Sequence, residues 1–558
     1  MPRLFSSFLV ASLLLACEAP RVGGRHEAGP TTLVLIHTAD LHSHLFPERA
    51  LLGRVDAARG LGAAGEVSEV GGFARIARIV TDVRAGAAHS LYLDSGDLIE
   101  GTAAFTAFGG EPELRAYGAL RVAAVALGNH DLDPGVRELV EKHAQFGHFP
   151  VLAANFARNG SELASALGTS VVLDAQGLRV GVIGVANPSS PSGLARADNL
   201  YGVQLLDTAS AVQSEIDRLR SKVDVLVAIS HLGLEGDEAL IRDTSGLDVV
   251  LGGHQHLAFD AALERFDCGP ALQAERACEA RRVFLVHSGA LGRYVGELDL
   301  SLVPREGESL AECGFDVEAA AHTLIPVSRE VPEDPALAAL LEPYRAGLRA
   351  AGFDTPLAFA RSRVERYAQN GGDSALGDLV TDTIRARTGA DFSLLNSSGL
   401  RADLLPGELT RASFVAALPF SDTLAVLSLT GAQVRALLTQ QARVASGRNC
   451  QTPFQISGLS LDLHCAGSAS SADARIAGSG AELDARRVYT LVTSAYLADG
   501  GSGFGSLTEA SSRRDLETDP LDVVLESVRA LPPCSGSPLP CLDPARLRDG
   551  RLVSHGGG

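Results

Sequence analysis

The sequence predicts an α/β protein with two large domains. The chain has 558 residues, and 46% of them are apolar, so it can form substantial cores. Strand and helix signals alternate over residues 31–305, which is typical of an α/β domain. Leucines at 337, 340, 341 and 348 recur at helical spacing within Glu333–Ala351, and we expect a linker helix there. The predicted segments are 1–16 (signal peptide), 17–30 (tether), 31–330 (first domain), 331–352 (linker helix), 353–530 (second domain) and 531–558 (tail with little core).

The N-terminus is predicted to direct export rather than to fold. Arg3 precedes an apolar run at Leu4–Ala16 that is too short for an ordinary membrane span. The run ends in Leu-Leu-Leu-Ala followed by Cys17, which resembles a bacterial lipobox, so we expect Cys17 to be lipidated. An ordinary secretory signal cleaved further on is the alternative. By analogy with lipoprotein sorting in enteric bacteria, Glu18 favours the outer membrane, facing the periplasm or the cell surface.

Five apolar runs of the first domain each end at a short polar motif. The predicted strands are Thr32–His37, Leu91–Asp94, Val122–Leu127, Val223–Ile229 and Val249–Leu251. In open α/β sheets ligands bind at the carboxyl ends of strands, so we expect the motif side chains to meet at one rim. The motifs are Asp40-Leu-His42, Gly96-Asp97, Gly128-Asn129-His130-Asp131, His231-Leu-Gly233 and Gly252-Gly253-His254-Gln-His256.

The residue types at these strand ends predict a centre with two divalent metal ions. Carboxylate, amide and imidazole ligands suit Zn, Mn or Fe, and a pair of such ions about 3.5–4 Å apart activates water and orients a phosphoryl group. Asp97 is the candidate bridge between the ions. His130 is expected to face the substrate, with Asp133 orienting its ring, and to bind a phosphoryl oxygen or protonate the leaving group.

Any one of these motifs alone is more often structural than functional, but five in order are hard to explain by chance. The other histidines have no partner motif, so we predict structural roles for them. His37 is expected to lie within the first strand. Surface or packing roles are expected for His44, His89, His143, His148, His287 and His322.

The motifs resemble those of calcineurin-like metallophosphoesterases, and specifically the 5′-nucleotidase family. "HTADLHSHL", "DSGDLIEGT", "ALGNHDLDPG", "ISHLG", "LGGHQH" and "GALGRYVGELDL" occur in the family order. The resemblance implies two packed sheets flanked by helices, a linker helix and an α+β substrate-binding domain. It also implies two metal sites that share Asp97. The first set of ligands is Asp40, His42, Asp97 and His256, and the second is Asp97, Asn129, His231 and His254.

The second half resembles the substrate-binding domain of the same family. The resembling segments are "GDSALGDLVTDTIRARTGADFSLLNSSGLRADLLPGELT", "LPFSDTLAVLSLTG" and "SAYLADGGSGF". Asn396 and Arg401 match the polar pair near the substrate phosphates, and Phe420 and Tyr496 match the rings that clamp the base. An aromatic clamp tolerates different bases because every base has a π-face.

The second half departs from the family pattern at two places. Ser502 stands where the family has an Asp that binds ribose hydroxyls, and a hydroxyl binds ribose less strongly than a carboxylate does. An Arg that the family places just before residues 371–377 is missing, since Asn370 and Gly372 stand there. Arg363 and Arg366 lie farther upstream.

The expected function is hydrolysis of nucleotides by an exported enzyme, with hydroxide held by the metals as the nucleophile. A 5′-nucleotidase is the leading hypothesis, with UDP-sugar hydrolysis as a further reaction. The alternatives are a 2′,3′-cyclic nucleotide phosphodiesterase with 3′-nucleotidase activity, a thiosulfohydrolase, and a surface binding lipoprotein without activity. The net charge of −19 argues against a nucleic acid polymer as partner. No protein partner is predicted, and membrane contact is expected through the lipid anchor alone.

The cysteines fit an oxidising compartment. Three pairs are close enough in sequence for plausible loop closures: Cys268 with Cys278, Cys450 with Cys465, and Cys534 with Cys541. Cys313 is left over, and it is either free or part of a different pairing. No pair has metal-ligand spacing, so no zinc is assigned to cysteine.

Overall fold

The computed structural model describes residues 30–157, 166–187, 203–304, 314–368 and 371–556. The predicted signal peptide, nearly all of the tether, Cys17, Cys313 and Asn370 lie outside the described residues. Among the described residues, no helix combines the length and the apolar character needed to cross a membrane.

The first domain is built mainly from strands that form two large sheets. Its strands are β1 (Thr31–Thr38), β2 (Glu48–Leu51), β3 (Val67–Val70), β4 (Ser90–Asp94), β5 (Ala124–Ala126), β6 (Val151–Leu152), β7 (Phe156–Ala157), β8 (Leu167–Gly168), β9 (Ser170–Ala175), β10 (Leu178–Val185), β11 (Gln204–Leu205), β12 (Val225–Ser230), β13 (Val249–Gly252), β14 (Leu263–Phe266), β15 (Arg282–His287), β16 (Tyr294–Pro304) and β17 (Phe315–Pro326).

In the described ranges, eight α-helices accompany these sheets, and a ninth follows the last strand. They are α1 (Arg54–Ala58), α2 (Phe73–Gly86), α3 (Ala103–Phe108), α4 (Glu111–Ala119), α5 (Val136–Lys142), α6 (Thr208–Leu219), α7 (Leu234–Arg242), α8 (Pro270–Glu275) and α9 (Pro335–Ala350). The ninth helix lies within the predicted linker. It begins after Asp334, whose side chain accepts hydrogen bonds from the first-turn amides of Ala336 and Leu337.

The two sheets pack face to face and share a core. One sheet has the strand order β17-β16-β1-β4-β5-β6-β8 and the other β14-β15-β13-β12-β10-β9. Side chains alternate across β1: Leu33 and Leu35 belong to the core between the sheets, whereas Val34 and Ile36 pack towards the helices that include α2. The α/β class and the two-sheet sandwich that the resemblance implied are therefore confirmed.

The described part of the second domain combines three sheets with helices. Its strands are β18 (Pro356–Ala360), β19 (Phe392–Asn396), β20 (Gly407–Thr410), β21 (Leu424–Thr430), β22 (Phe454–Ser457), β23 (Leu459–His464), β24 (Ser471–Ile476), β25 (Val488–Ser494), β26 (Ser512–Leu516), β27 (Cys541–Leu542) and β28 (Leu552–His555). Its helices are α10 (Ala375–Thr388), α11 (Arg411–Ala417), α12 (Gly431–Ser446), α13 (Ala495–Ala498), α14 (Pro520–Arg529) and α15 (Pro544–Leu547). The sheet orders are β22-β19-β25-β21-β26, β20-β18-β27 and β24-β23-β28.

The prediction of a tail with little core beyond residue 530 was wrong. β27 pairs in parallel with β18, and β28 pairs in parallel with β23, so this segment completes two sheets. Leu542 and Leu552 are buried in the cores of the second domain. Both strands add to the edge of an existing sheet, and the Pro-rich sequence of this segment did not reveal these pairing partners.

The three predicted disulfides are confirmed. Cys268 bonds to Cys278, Cys450 to Cys465 and Cys534 to Cys541. Disulfides persist in oxidising compartments, so they indicate an extracytoplasmic protein.

Candidate active site

The carboxyl ends of five strands from both sheets converge on one site. β1, β4 and β5 come from one sheet and β12 and β13 from the other. The chain turns sharply as it leaves these strands, and five of the predicted ligands have left-handed backbones. Such a conformation costs about 1–3 kcal/mol for a residue with a side chain, and it persists at functional sites where the fold over-determines it. The φ angles are 51° (Asp40), 47° (His42), 56° (Asp97), 76° (His254) and 57° (His256).

The first cluster consists of Asp40, His42 and His256. One ligand atom from each lies within 4.8 Å of the others. The Nε2 atoms of His42 and His256 are 3.1 Å apart, and His256 Nε2 is 3.7 Å from Asp40 Oδ1. Two imidazole nitrogens and a carboxylate directed at the same point can coordinate a divalent cation.

The second cluster consists of Asp97, His231 and His254, and its ligand atoms also lie within 4.8 Å of one another. His231 Nε2 is 2.9 Å from Asp97 Oδ2, and Asp97 Oδ2 is in turn 3.7 Å from His42 Nε2 of the first cluster. Asp97 therefore lies between the two clusters, at the position of a bridging carboxylate. The two clusters together are called the metal cradle below. Asn129 is buried, and its neighbour in sequence, His130, donates its backbone amide to Asp97 Oδ1. No described residue forms a hydrogen bond with Asn129 Oδ1.

The hydrogen bond of His231 to the backbone indicates that its Nε2 atom can bind a cation. His231 Nδ1 donates a 2.7 Å hydrogen bond to the carbonyl of Ser95, so a neutral His231 carries its lone pair on Nε2. That lone pair faces the oxygen of Asp97, which is unfavourable unless a cation or a proton lies between them. A backbone acceptor on the far ring nitrogen is the usual way in which proteins orient a metal-binding imidazole.

The pKa values of the clustered carboxylates and imidazoles are strongly shifted by burial and by their mutual interactions. Burial, opposed by His231, raises the pKa of Asp40 above its ordinary value. Although burial lowers the pKa of His231, the Asp97 carboxylate raises it to about 10. Burial lowers the pKa of His254 to about 4 and that of His256 to about 3, so both imidazoles are neutral and able to bind metal.

His130 forms the predicted pair with Asp133. His130 Nδ1 lies 2.7 Å from Asp133 Oδ2, and the backbone amide of His130 donates to Asp97 Oδ1 at 2.8 Å. Burial opposes the imidazolium, but Asp133 raises the pKa of His130 above its ordinary value. With Nδ1 directed at Asp133, Nε2 is the other ring nitrogen of His130 that can exchange a proton.

Two buried aspartates accept hydrogen bonds from the backbone of the loops that carry the predicted metal ligands. The sequence analysis assigned them no role. Asp131 accepts hydrogen bonds from the amides of Asp97, Leu98 and Gly128. Asp94 accepts from Thr38 Oγ1, Tyr117 OH and the amide of Gly96. Both lie inside the quoted motifs, so their position was a signal that could have found them.

Side chains of the second domain reach the metal cradle. Arg401 Nη2 lies 3.4 Å from His42 Nε2. The ring of Phe420 stacks on His130 with centroids 5.4 Å apart and planes 23° apart, and the Arg401 guanidinium lies 5.7 Å from the centre of the same ring. The site is therefore shared between the two domains.

The remaining predicted substrate residues form a second group. Asn396 ends β19, and its Nδ2 atom donates to Ser502 Oγ at 3.3 Å. The Tyr496 hydroxyl lies 3.3 Å from Ser502 Oγ and accepts from the Ser502 amide at 3.0 Å. Ser502 is exposed and has a left-handed backbone with φ 51°.

The two arginines upstream of residue 371 have different environments. Arg363 pairs with Glu365 at 2.5 Å and lies 3.7 Å from Asp403, so carboxylates already surround it. Arg366 donates from Nη1 to the carbonyls of Leu400 and Arg401. Its charge lies close enough to Arg401 to contribute, after burial, to a lowered pKa of that residue. Arg366 thus adds positive charge behind Arg401, which its distance in sequence did not reveal.

Three of the histidines predicted to have structural roles pair with residues other than the predicted metal ligands. His37 Nε2 lies 3.1 Å from His322 Nε2 within the first sheet. His287 is buried and pairs with Asp237 at 2.9 Å.

Comparison with known proteins agrees with this architecture. Residues 33–258 match the calcineurin-like phosphoesterase family model, and residues 351–509 match the 5′-nucleotidase, C-terminal domain model. The fold and the site thus define a metal-dependent phosphohydrolase of the 5′-nucleotidase type.

Several relatives align with nearly the whole chain. A 5′-nucleotidase of Diplobatis ommata is 26% identical over 95% of this chain and 93% of its own length. A 5′-nucleotidase of Homo sapiens is 25% identical over 89% of this chain and 88% of its own. The crystal structure of a 5′-nucleotidase precursor from Thermus thermophilus superposes with a TM-score of 0.78 at 26% identity, covering 94% of this chain and 99% of that one. The chain belongs to the 5′-nucleotidase family, with a calcineurin-like metallophosphoesterase domain followed by a 5′-nucleotidase C-terminal domain.

Proposed function

We propose that this protein is an exported, lipid-anchored 5′-nucleotidase that hydrolyses nucleoside 5′-monophosphates. The observation that carries the proposal is the meeting of the two domains at one site. Arg401 of the second domain lies 3.4 Å from His42 of the metal cradle, and Phe420 stacks on His130. A phosphate at the cradle would therefore be within reach of a guanidinium and next to an aromatic ring.

Seven side chains would hold two divalent cations, such as Zn²⁺ or Mn²⁺. Asp40, His42 and His256 would hold one, and Asn129, His231 and His254 the other, with Asp97 shared. Such cations supply Lewis acidity towards the phosphoryl oxygens and lower the pKa of a water molecule. The chain's contribution is to orient these ligands: the Ser95 carbonyl accepts from His231 Nδ1, and the backbone amide of His254 donates to the Asp40 carboxylate.

His130 and Asp133 would supply the proton chemistry. In this proposal the His130 imidazolium, stabilised by Asp133, donates a hydrogen bond to a phosphoryl oxygen and protonates the leaving ribose oxygen. General acid assistance of this kind contributes about 10²–10⁴-fold to a rate. Because Asp97 accepts from the His130 amide, the proton donor keeps a fixed position relative to the cradle.

The second domain would choose the substrate. Arg401, backed by Arg366, pairs with the phosphate, and Phe420 and Tyr496 stack against the base. Asn396 and Ser502 lie within 3.3 Å of each other and would bind ribose hydroxyls. With neutral hydrogen-bonding groups there, we expect a broad tolerance for the sugar and the base.

The N-terminus and the cysteines support the proposed export and anchoring. Three disulfides support a compartment outside the cytoplasm. Lipidation of Cys17 would leave the folded chain on a short tether at the outer membrane. Mass spectrometry of the membrane fraction tests this, because a diacylated Cys17 at the new N-terminus has a distinct mass.

The function is tested with the purified chain starting after Cys17, by phosphate release from the monophosphates and by nucleotide product from UDP-glucose and the cyclic substrate. The substrates are AMP, UMP, UDP-glucose, 3′-AMP and 2′,3′-cyclic AMP, with Mn²⁺ or Zn²⁺ added and with chelator as control. We expect metal-dependent release from the 5′-monophosphates. Turnover restricted to the 3′ and cyclic substrates would contradict the proposed substrate while leaving the metal chemistry in place.

A further inference from the structure

A second group of carboxylates lies in the second domain, far along the chain from the cradle. Asp373 precedes α10, Asp378 lies in the first turn of that helix, and Asp549 follows α15. One carboxylate oxygen from each lies within 4.8 Å of the others. The group brings together residues separated by more than 170 positions, since Asp373 Oδ2 accepts from the amide of Gly550 at 2.9 Å.

Asp378 has an unusual environment for a carboxylate. Its side chain is 0% exposed, and neither of its oxygens accepts a hydrogen bond from any described residue. The closest cationic atom, Arg551 Nε, is 3.5 Å away and donates instead to Asp549 Oδ1 at 2.7 Å. Asp373 is 1% exposed, and no residue in the described part of the chain donates a hydrogen bond to its Oδ1 atom. A buried carboxylate oxygen without a hydrogen-bond partner lowers the free energy of unfolding, because its lost hydration is not replaced.

The charges around this group do not balance. Arg551 contacts Asp382 at 2.5 Å and Asp549 at 2.7 Å, and Arg548 lies 3.6 Å from Asp373. Four carboxylates, including Asp378, thus face two guanidinium groups. A third guanidinium group, that of Arg385, is close enough to Asp382 to help lower its pKa, so these carboxylates still outnumber the cations. Asp549, which is 57% exposed, opens the group to solvent.

We propose that Asp373, Asp378 and Asp549 form a calcium site that is separate from the catalytic metals. The donor set consists of oxygen alone, which suits Ca²⁺ or Mg²⁺ and not the imidazole-preferring metals of the cradle. Three carboxylates at loop and helix-end positions suit the flexible coordination of Ca²⁺ better than the strict octahedron of Mg²⁺. A bound ion would tie the start of α10 to the terminal segment that contains β28, and so stabilise the domain that carries Asn396 and Arg401.

A proton is the competing occupant. Burial raises the pKa of Asp378 to about 8, and Arg551 opposes that rise. A proton shared between Asp378 and Asp373 would satisfy the same oxygens without a metal. The two occupants are distinguished by Asp378→Asn, which has the shape of the protonated acid but cannot supply the charge that holds Ca²⁺.

The test is calcium binding by the full chain starting after Cys17, loaded first with two equivalents of Zn²⁺ so that the imidazole-rich cradle is filled. Isothermal titration at pH 7.5 is expected to show one Ca²⁺ site with a Kd of about 10⁻⁴–10⁻³ M or tighter, as in extracellular modules. Ca²⁺ at ten times Kd is expected to raise the Tm by about 2–5 °C. Mg²⁺ is expected to bind at least about tenfold more weakly.

Asp378→Asn and Asp549→Asn are each expected to weaken Ca²⁺ binding at least tenfold and to abolish the rise in Tm. Asp549 is exposed, so its variant carries the test if Asp378→Asn fails to fold. Asp473→Asn is the matched control, because Asp473 is 75% exposed and lies in β24, outside the group. Absence of Ca²⁺ uptake at about 5 mM, or equal uptake by both variants and wild type, overturns the proposal.

Discussion

The two parts of the active site are built differently. The metal cradle is attached to the ends of five strands, and Asp40, Asp97 and His231 are almost completely buried. The substrate-facing side chains of the second domain lie on loops and short turns, and Ser502 is exposed. Metal ligands at strand ends are constrained by the surrounding core, whereas loop residues can be substituted without disrupting that core. The chemistry of this enzyme is therefore set by the fold, and its substrate by replaceable side chains.

Asp97→Asn is expected to have the largest effect, because Asp97 lies between both halves of the cradle. It accepts from the His130 amide and pairs with His231, and an amide of the same shape cannot bridge two cations. We expect kcat to fall by at least about 10³-fold, since several kcal/mol of metal-derived stabilisation are lost. Steady-state kinetics measure the fall in kcat, and elemental analysis measures the bound metal. The surface variant Asp82→Asn is the control. Activity within tenfold of wild type would contradict a shared Asp97.

His130→Ala separates proton transfer from metal binding. We expect the variant to keep its metals and lose about 10²–10⁴-fold in kcat, because His130 is held beside the cradle without belonging to either cluster. Asp133→Asn is expected to lose less, because the imidazole remains. His464→Ala, on the exposed surface of the second domain, is the control. If His130→Ala retains full turnover, the assigned role is wrong.

Much of the cradle was predictable because strands have a simple sequence signal. Each predicted strand overlaps an observed one, and a polar residue just after a buried run must stand at a sheet end. The structure brings Asp40, His42 and His256 together, and likewise Asp97, His231 and His254, as the two predicted ligand sets require. The sequence could not show that the strands divide between two sheets, and that came from the resemblance.

The second domain was harder to predict because its contacts join distant segments. Arg366 reaches the carbonyls of Leu400 and Arg401 across a loop, and no local pattern encodes that contact. The segment beyond residue 530 looks unstructured by composition, yet β28 pairs with β23. Local sequence predicts which residues form a strand, but not which sheet edge accepts it.

Arg401→Ala is expected to affect substrate binding more than metal binding. Arg401 lies 3.4 Å from His42 but belongs to the other domain. A charge-assisted bond to phosphate is worth about 1.5–3 kcal/mol, so KM for AMP is expected to rise about 10–100-fold with the metal content unchanged. Arg387→Ala, an exposed variant paired with Glu526, is the control. An unchanged KM would remove Arg401 from the phosphate site.

Phe420→Ala tests whether the ring serves the base or only supports His130. Phe420 stacks on His130, so both roles are geometrically open. If it stacks against the base, KM for AMP is expected to rise about 5–100-fold, the equivalent of about 1–3 kcal/mol per stacked base. Ribose 5-phosphate, which has no base, is expected to be affected less than about threefold. Equal losses for both substrates would assign Phe420 to the support of His130.

Ser502→Asp is expected to have the smallest effect, and it probes the most replaceable position. Ser502 has a left-handed backbone, which Asp tolerates better than most residues, and its Oγ accepts from Asn396 Nδ2. A carboxylate there would accept from ribose hydroxyls about twice as strongly as a hydroxyl does, so KM for AMP should fall about 2–10-fold. The measurement pairs AMP with 2′,3′-dideoxy-AMP, which lacks both hydroxyls and whose KM should not improve. An equal change for both nucleotides would mean that position 502 acts on the loop and not on the sugar, and that substrate choice depends on Arg401 and the rings alone.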